Sequence, residues 1–367
     1  MSHHLWLSRL AFVFVSSIAF VSVVNMIVDP YGVFHFVAKP HFNIVKRHVA
    51  SDRMTKLYYL ARIKPRALLL GSSTIGSFES TDLERYAPAP AYNLALGGMH
   101  IREIHAYLTH AASRYPVKTV VIGLDFFGFF GHDANHELDA RFVPERLRRR
   151  IYVEDYLVAL FPFDTFVRAF KTIHDNRGDQ RGFQYVDYET GTFLWNRANT
   201  VGPPRHSIDE YRMKQLCEIY STHWSSRVVE NVRYVKKMLE FAESHQIDLR
   251  LFASPSHLTS FALIARMGLG TLYARWHRAL AEVTAYYDFG GANSITNDAG
   301  NFIDTLHLKP EGGRLIFARL FDDRSIPVPA DFGVPITQAT VDNHLAALQF
   351  DHRPARRFEC SSIRSPS

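Results

Sequence analysis

The chain reads as an α/β protein: a three-layer sandwich around a central parallel sheet, with a transmembrane helix in front and a helical or loop insertion. Three observations predict this. Short apolar runs bounded by Gly or Pro alternate with stretches of helical spacing. An uncharged apolar run, residues 10–28, opens the chain. Between two segments of good periodicity lies a long stretch, about 126–226, where the pattern loosens.

Residues 10–28 hold one strongly polar residue, Asn25, and match the length needed to cross a bilayer as a helix. Asp29-Pro30 stops the run, and Trp6 suits a membrane interface. A signal peptide cleaved after Ser17-Ile-Ala19 and a buried core helix are the rival readings. Arg9 precedes the run, while Lys39, Lys46 and Arg47 follow it. That bias favours a cytoplasmic domain, although large domains translocate largely regardless of flanking charge.

Residues 1–30 are therefore read as anchor and 31–65 as connector, with helical spacing over 52–62. Residues 67–70, between Pro65 and Gly71, suit a buried parallel strand. Residues 91–96 make a second strand and 101–113 a helix with Ile101, Ile104, Leu108 and Ala111 on one face. The β-branched run within 117–125 is the clearest strand. A long amphipathic helix over 227–245 leads into a strand at 249–252. A short strand at 286–289 and a helix at 311–321 complete a domain spanning 66–325. The insertion contains a polar loop at 174–184 and reads as a lid or substrate wall. Residues 326–367 read as an irregular tail, basic and then Ser-rich at its end.

The composition is that of a chain able to bury a full core, with 47% apolar and 21% charged residues and 28 Phe. The net charge of +6 is scattered except at Arg146, Arg148, Arg149 and Arg150. No basic tract is interleaved with aromatics, so nucleic acid is not the expected partner. The two cysteines, Cys217 and Cys360, make neither a disulfide framework nor a zinc pattern. His100, His105 and His110 recur every five residues and do not share a helix face; His132 and His136 lie in a polar loop. Neither set predicts a metal site.

The chemistry is read from two distant segments. The strand at 67–70 opens into Gly71-Ser72-Ser73-Thr74, and Asp304-Thr-Leu-His307 lies far downstream. A serine presented at a strand end can be a nucleophile, and an aspartate three residues before a histidine can hold the imidazole that activates it. Ser72, Ser73 and Thr74 also suit a helix cap, and Asp304-His307 also suits a surface pair near a helix start. A phosphate cradle at Gly71-Ser72-Ser73 lacks a neighbouring lysine.

Over roughly residues 65–325 the chain resembles the SGNH/GDSL hydrolases, and within them the membrane-anchored bacterial members linked to polysaccharide O-acetylation. Four blocks carry the resemblance. Gly71-Ser72-Ser73 stands where the family has Gly-Asp-Ser, which makes Ser73 the matching nucleophile. Asn93 is followed five residues later by Gly98, whose N–H would join that of Ser73 as an oxyanion donor. Gly123-Leu124-Asp125 stands where the family has Gly-X-Asn, so Asp125 replaces a side-chain donor with a carboxyl. Asp304 and His307 match the family's orienting acid and base.

The resemblance implies a SGNH-hydrolase or flavodoxin-like sandwich with no cofactor and no metal. It also implies a membrane-anchored serine esterase or O-acyltransferase acting on cell-envelope or exported polysaccharide. The main domain would lie outside the cytoplasm, with an acylated glycan as substrate and an integral-membrane acyltransferase as a partner. The alternative is a non-catalytic relative that binds polysaccharide or scaffolds a synthesis machine, motivated by Asp125. His257, after Ser254-Pro255-Ser256 at the rim of the sheet, is a further candidate neighbour of the site, and an ordinary loop histidine otherwise. Trp195 with Arg197 suits stacking on a sugar ring or lid packing.

Overall fold

The structure, a computed structural model, describes residues 3–47, 52–130, 153–177, 185–194, 227–266 and 268–348. Trp195, Arg197, His132, His136, the arginine run, both cysteines and residues 349–367 lie outside the described residues.

The first helix, α1 (His3–Val28), is apolar on all sides, with a mean hydropathy of 2.3 over its best window. Only Asn25 and Val28 are buried, so it is a helix long and apolar enough to cross a membrane. Its foot is fastened to the connector that follows it. The Asp29 carboxylate accepts the amides of Val33, Phe34 and His35 at 2.7–3.1 Å, and Lys46 Nζ donates to the Asp29 carbonyl at 2.6 Å. Asn43 Nδ2 donates to the Val28 carbonyl at 3.1 Å, satisfying a helix-end acceptor.

The strands are β1 (Lys46–Arg47), β2 (Ala67–Leu70), β3 (Ala91–Asn93), β4 (Thr119–Leu124), β5 (Tyr185–Asp187), β6 (Thr192–Leu194), β7 (Asp248–Ala253), β8 (Tyr286–Asp288) and β9 (Val334–Ile336). The helices after α1 are α2 (Asp52–Ile63), α3 (Ser80–Leu83), α4 (Ile101–Ala112), α5 (Val153–Leu160), α6 (Phe163–Arg177), α7 (Arg233–Ser244), α8 (Leu258–Arg266), α9 (Gly270–Val283), α10 (Pro310–Leu320) and α11 (Val341–Ala347).

Six strands form the main sheet in the order β3-β2-β4-β7-β8-β9, parallel except for β9. The period of two sorts the side chains onto two faces. Leu68, Leu70, Val120 and Ile122 enter one core with residues of α4, α7 and α9. Ala67, Leu69 and Val121 enter the other with Phe317 and Leu320 of α10. The helices therefore flank both faces, and the loops after β2, β4 and β7 open together at the carboxyl ends of the strands, where α/β sheets place their sites.

Several expectations are corrected. The sheet is mixed, not wholly parallel, because β9 pairs antiparallel with β8. The stretch from 326 is not irregular throughout: Ile336, Val341 and Leu345 are buried in the main core through β9 and α11. β8 supplies the pairing that three residues around Pro335 could not specify alone. The strand at 91–96 stops at Asn93. The polar loop at 174–184 begins as the end of α6, which runs to Arg177. Within the insertion, α5 and α6 pack on α1, and β5 and β6 join β1 in a small antiparallel sheet.

Candidate active site

β2 ends at Leu70, and the chain turns at once. A Cβ on Gly71 would lie 2.9 Å from the Gly123 carbonyl oxygen, so no larger residue fits between β2 and β4 there. Ser72 then caps a 3-10 turn over Ser73–Ile75, accepting from the Thr74 amide at 3.3 Å. The cap reading of Ser72 and the presentation of Ser73 are thus one arrangement.

The Ser73 hydroxyl lies 2.9 Å from His307 Nε2. His307 Nδ1 lies 2.8 Å from both Asp304 oxygens. A carboxylate only accepts, so Nδ1 carries the proton and Nε2 is left to accept from Ser73. The amides of Leu306 and His307 hold Asp304 Oδ1 at 2.9 and 3.1 Å. Asp304 and His307 are both buried, while Ser73 is half-buried.

The loop bearing the pair is fixed on several sides. The Ile303 amide bonds the His307 carbonyl at 2.8 Å, and Ser77 Oγ bonds that of Leu308 at 2.6 Å. The Thr305 carbonyl accepts from the His257 amide at 3.0 Å and from Ser260 Oγ at 2.9 Å. His257 thus holds this loop through its backbone. Its ring bonds Thr259 Oγ1 at 2.9 Å and stands against Phe302, away from the cavity lining.

Asn93 also positions rather than faces the cavity. Its fully buried Nδ2 donates to the carbonyls of Ile75 and Phe78 at 2.9 Å, tying the serine turn to β3. Beside it, Lys56 is fully buried, with Nζ on the carbonyls of Asn93, Ala95 and Gly191 at 2.6–2.9 Å. Burial pulls this amine down to about 7 against the attraction of Asp52.

Gly98, at a φ of +60° that favours glycine, lines the same cavity as Ser73. Asp125 lines it too, and Thr74 Oγ1 donates to its Oδ1 at 2.9 Å. Burial raises the Asp125 carboxyl above the usual range; the hydroxyls of Ser72, Thr74 and Ser254, and then His307, oppose the shift. Asp125 thus stands at the cavity and has a donor.

The cavity holds about 460 Å³. Its polar lining gathers at the strand ends, in Ser72, Ser73, Thr74, Asp125, Ser254 and Ser256, with His100 next to Gly98. Its other wall is aromatic and aliphatic, from the 3-10 turn after β4 and from α8 and α9. Sequence reasoning missed that wall, because Phe261 and Ile264, or Tyr273 and Trp276, at a spacing of three read as ordinary core. Of the insertion, the described lining residues are confined to 126–130. Among the described residues no group of three or more His, Cys, Asp or Glu is placed to hold a metal. No family model matches the chain, and no curated protein or solved structure matches it.

Proposed function

We propose that the chain is a serine esterase or O-acyltransferase working through Ser73, His307 and Asp304. The observation that carries the reading is the unbroken hydrogen-bonded run from Ser73 Oγ through the imidazole to Asp304, at the wall of a cavity. In the reaction, Ser73 Oγ bonds to an ester carbonyl carbon while His307 Nε2 takes the hydroxyl proton. The oxyanion is met by the N–H groups of Ser73 and Gly98. As the carbonyl re-forms, the bond to the alcohol breaks and His307 returns the proton to the leaving oxygen. Water or a sugar hydroxyl then takes the acyl group by the reverse steps.

The resemblance to SGNH hydrolases of the O-acetylation branch extends this reading to an acylated envelope glycan, a domain held outside the cytoplasm by α1, and an integral-membrane acyltransferase partner. A fluorophosphonate that reacts with activated serines tests the chemistry. Labelling of the full chain, lost in Ser73→Ala, is the expected result; absence of labelling in folded protein favours the non-catalytic, glycan-binding reading that Asp125 motivates. Alkaline phosphatase fused after residue 330 tests the topology: it is active if the domain is exported and inactive if it is cytoplasmic.

A further inference from the structure

We infer that the acyl group taken by Ser73 is a hydrocarbon chain of medium length rather than acetyl; this rests on the serine-hydrolase reading above. The cavity is divided. Its polar groups cluster where the ester would react, and its remaining wall offers carbon. Phe126 follows Asp125 directly, and its ring centroid lies 5.1 Å from that of Tyr273 and 5.6 Å from that of Trp276. Phe261 stands 5.7 Å from Tyr273. On α8 and α9 the pairs Phe261 and Ile264, and Tyr273 and Trp276, are each three apart and share a face. Their faces on the cavity are preformed, because the rings hold one another.

An acetyl methyl would leave most of about 460 Å³ to water lying on aromatic faces. Sugar hydroxyls in the same place would lie mostly against Phe126, Phe127, Phe130, Phe261 and Ile264, which offer no partner, with the Tyr273 hydroxyl and Trp276 Nε1 as the polar atoms of that wall. A chain of several methylenes covers the wall and leaves the alcohol half of the ester outside. Ester and Ser73 hydroxyl give acyl-serine and free alcohol; water then gives the carboxylic acid and restores Ser73, with no other reactant.

The test is turnover of p-nitrophenyl acetate, butyrate and octanoate by the full chain in lipid nanodiscs, with the leaving group held constant. Each methylene buried on the wall is expected to raise kcat/KM about fourfold, so octanoate, with six more than acetate, should exceed it by about 4,000-fold if all six are buried and by about 100-fold if only three or four are. Ile264→Trp, which fills the cavity, should lower the octanoate-to-acetate ratio at least about tenfold in protein with an unchanged near-ultraviolet spectrum. Ser73-dependent turnover with acetate equal or preferred overturns the inference and leaves the hydrolase reading standing. Loss of all Ser73-dependent turnover and labelling overturns both.

A second surface stands on its own observation, and we propose that the α5–α6 hairpin lies in the membrane interface beside α1. At 100° per residue, α6 has three sides. Thr165, Ala169, Thr172 and Asn176 are buried; Asp164, Arg168 and Lys171 make a charged side; Phe163, Phe166 and Phe170 make an aromatic one. Phe163 is 70% and Phe170 56% exposed, and Phe161 at the hairpin turn is 49% exposed. An apolar patch of this kind needs a cover. Lipid is the cover because the patch continues α1: Phe166 meets Phe20 with centroids 6.2 Å apart, and Asn25 Nδ2 donates to the Leu160 carbonyl at 2.8 Å. Asn176 at the end of α6 donates to the Val45 carbonyl at 2.7 Å and accepts from its amide at 2.9 Å, so the segment that fastens the foot of α1 also holds the hairpin.

Spin labels at Phe163→Cys and, separately, Phe170→Cys would report it, in full chain with Cys217 and Cys360 changed to Ser, in phosphatidylethanolamine–phosphatidylglycerol vesicles. The expected result is relaxation by oxygen and protection from a water-soluble nickel chelate, with the reverse at Lys171→Cys. Nickel access equal to that at Lys171→Cys overturns the proposal. Protection from both reagents also overturns it, since the cover is then protein.

Discussion

Two buried aspartate–histidine pairs sit in this domain, and they differ in what the second ring nitrogen reaches. In one, Asp304 holds His307 Nδ1 and the far nitrogen meets Ser73 at a cavity wall. In the other, at the end of β8, Asp288 lies 2.7 Å from His344 Nε2 and 3.8 Å from His277 Nε2, while His277 Nδ1 meets the Tyr286 hydroxyl at 2.5 Å. His277 and Tyr286 are in the core, and burial takes His277 down to about 4 against the pull of Asp288. An aspartate beside a histidine is thus not a site. The site needs a nucleophile on the free nitrogen and space for a substrate.

The comparison breaks first at Ser73. Ser73→Ala and His307→Ala are each expected to lower ester turnover by at least about 10⁴-fold, and the double variant no further, because the residues act as a unit. A double variant much worse than either single one would show separate contributions. Asp304→Asn should lower turnover about 10³-fold through a misplaced imidazole proton, with melting temperature little changed. By contrast, His277→Phe should leave turnover of the folded protein within a fewfold.

What the core pair contributes is a pH dependence. A histidine depressed from 6.5 to about 4 supports folding above its unfolded value and loses that support as pH falls through the window to 4. Chemical denaturation at pH 7 and pH 4.5 should differ by on the order of 3 kcal/mol from this group, and the difference should shrink in His277→Phe.

Asp125→Asn comes next. Replacing an acceptor that burial holds above its ordinary pKa with an amide donor should raise turnover about tenfold, and the gain should grow as pH rises and the wild-type carboxyl ionises. A raised carboxyl contributes stability at low pH that is lost as pH rises through its folded value, so this variant should also flatten stability on the acid side. Turnover lowered at every pH would instead make Asp125 a needed acceptor. The smallest effect belongs to His257→Ala, within about 1 kcal/mol in stability and threefold in turnover, since its backbone amide still holds the Thr305 carbonyl when the ring is removed.

The readable parts were those whose signal is local. β2, β4 and β7 are short apolar runs because both faces are buried, and Asp304 and His307 are three residues apart. The second Asp–His arrangement gave no such signal, with Asp288 and His344 joined only by the fold. β9 and α11 were hidden for the same reason: their partners, β8 and α9, are supplied by tertiary structure. The cavity wall was hidden because a residue facing a cavity and one facing the core have the same periodicity. That Ser73 meets His307 required the sheet to bring residues 234 positions apart to one rim.

The main sheet has two edges, and both are closed to addition. At β3 the Asn93 amide is taken by the Thr190 carbonyl at 2.8 Å, and Lys56 occupies the Asn93 carbonyl. At the other edge β9 is three residues long, and Pro335 at its centre has no N–H. Growth of one sheet onto another needs a row of free amides, and the described residues present none at either edge. Copies of this protein crowded onto one surface would therefore meet through side chains, and a destabilising substitution that loosens the 188–191 turn or β9 would be the one to expose a strand for aggregation.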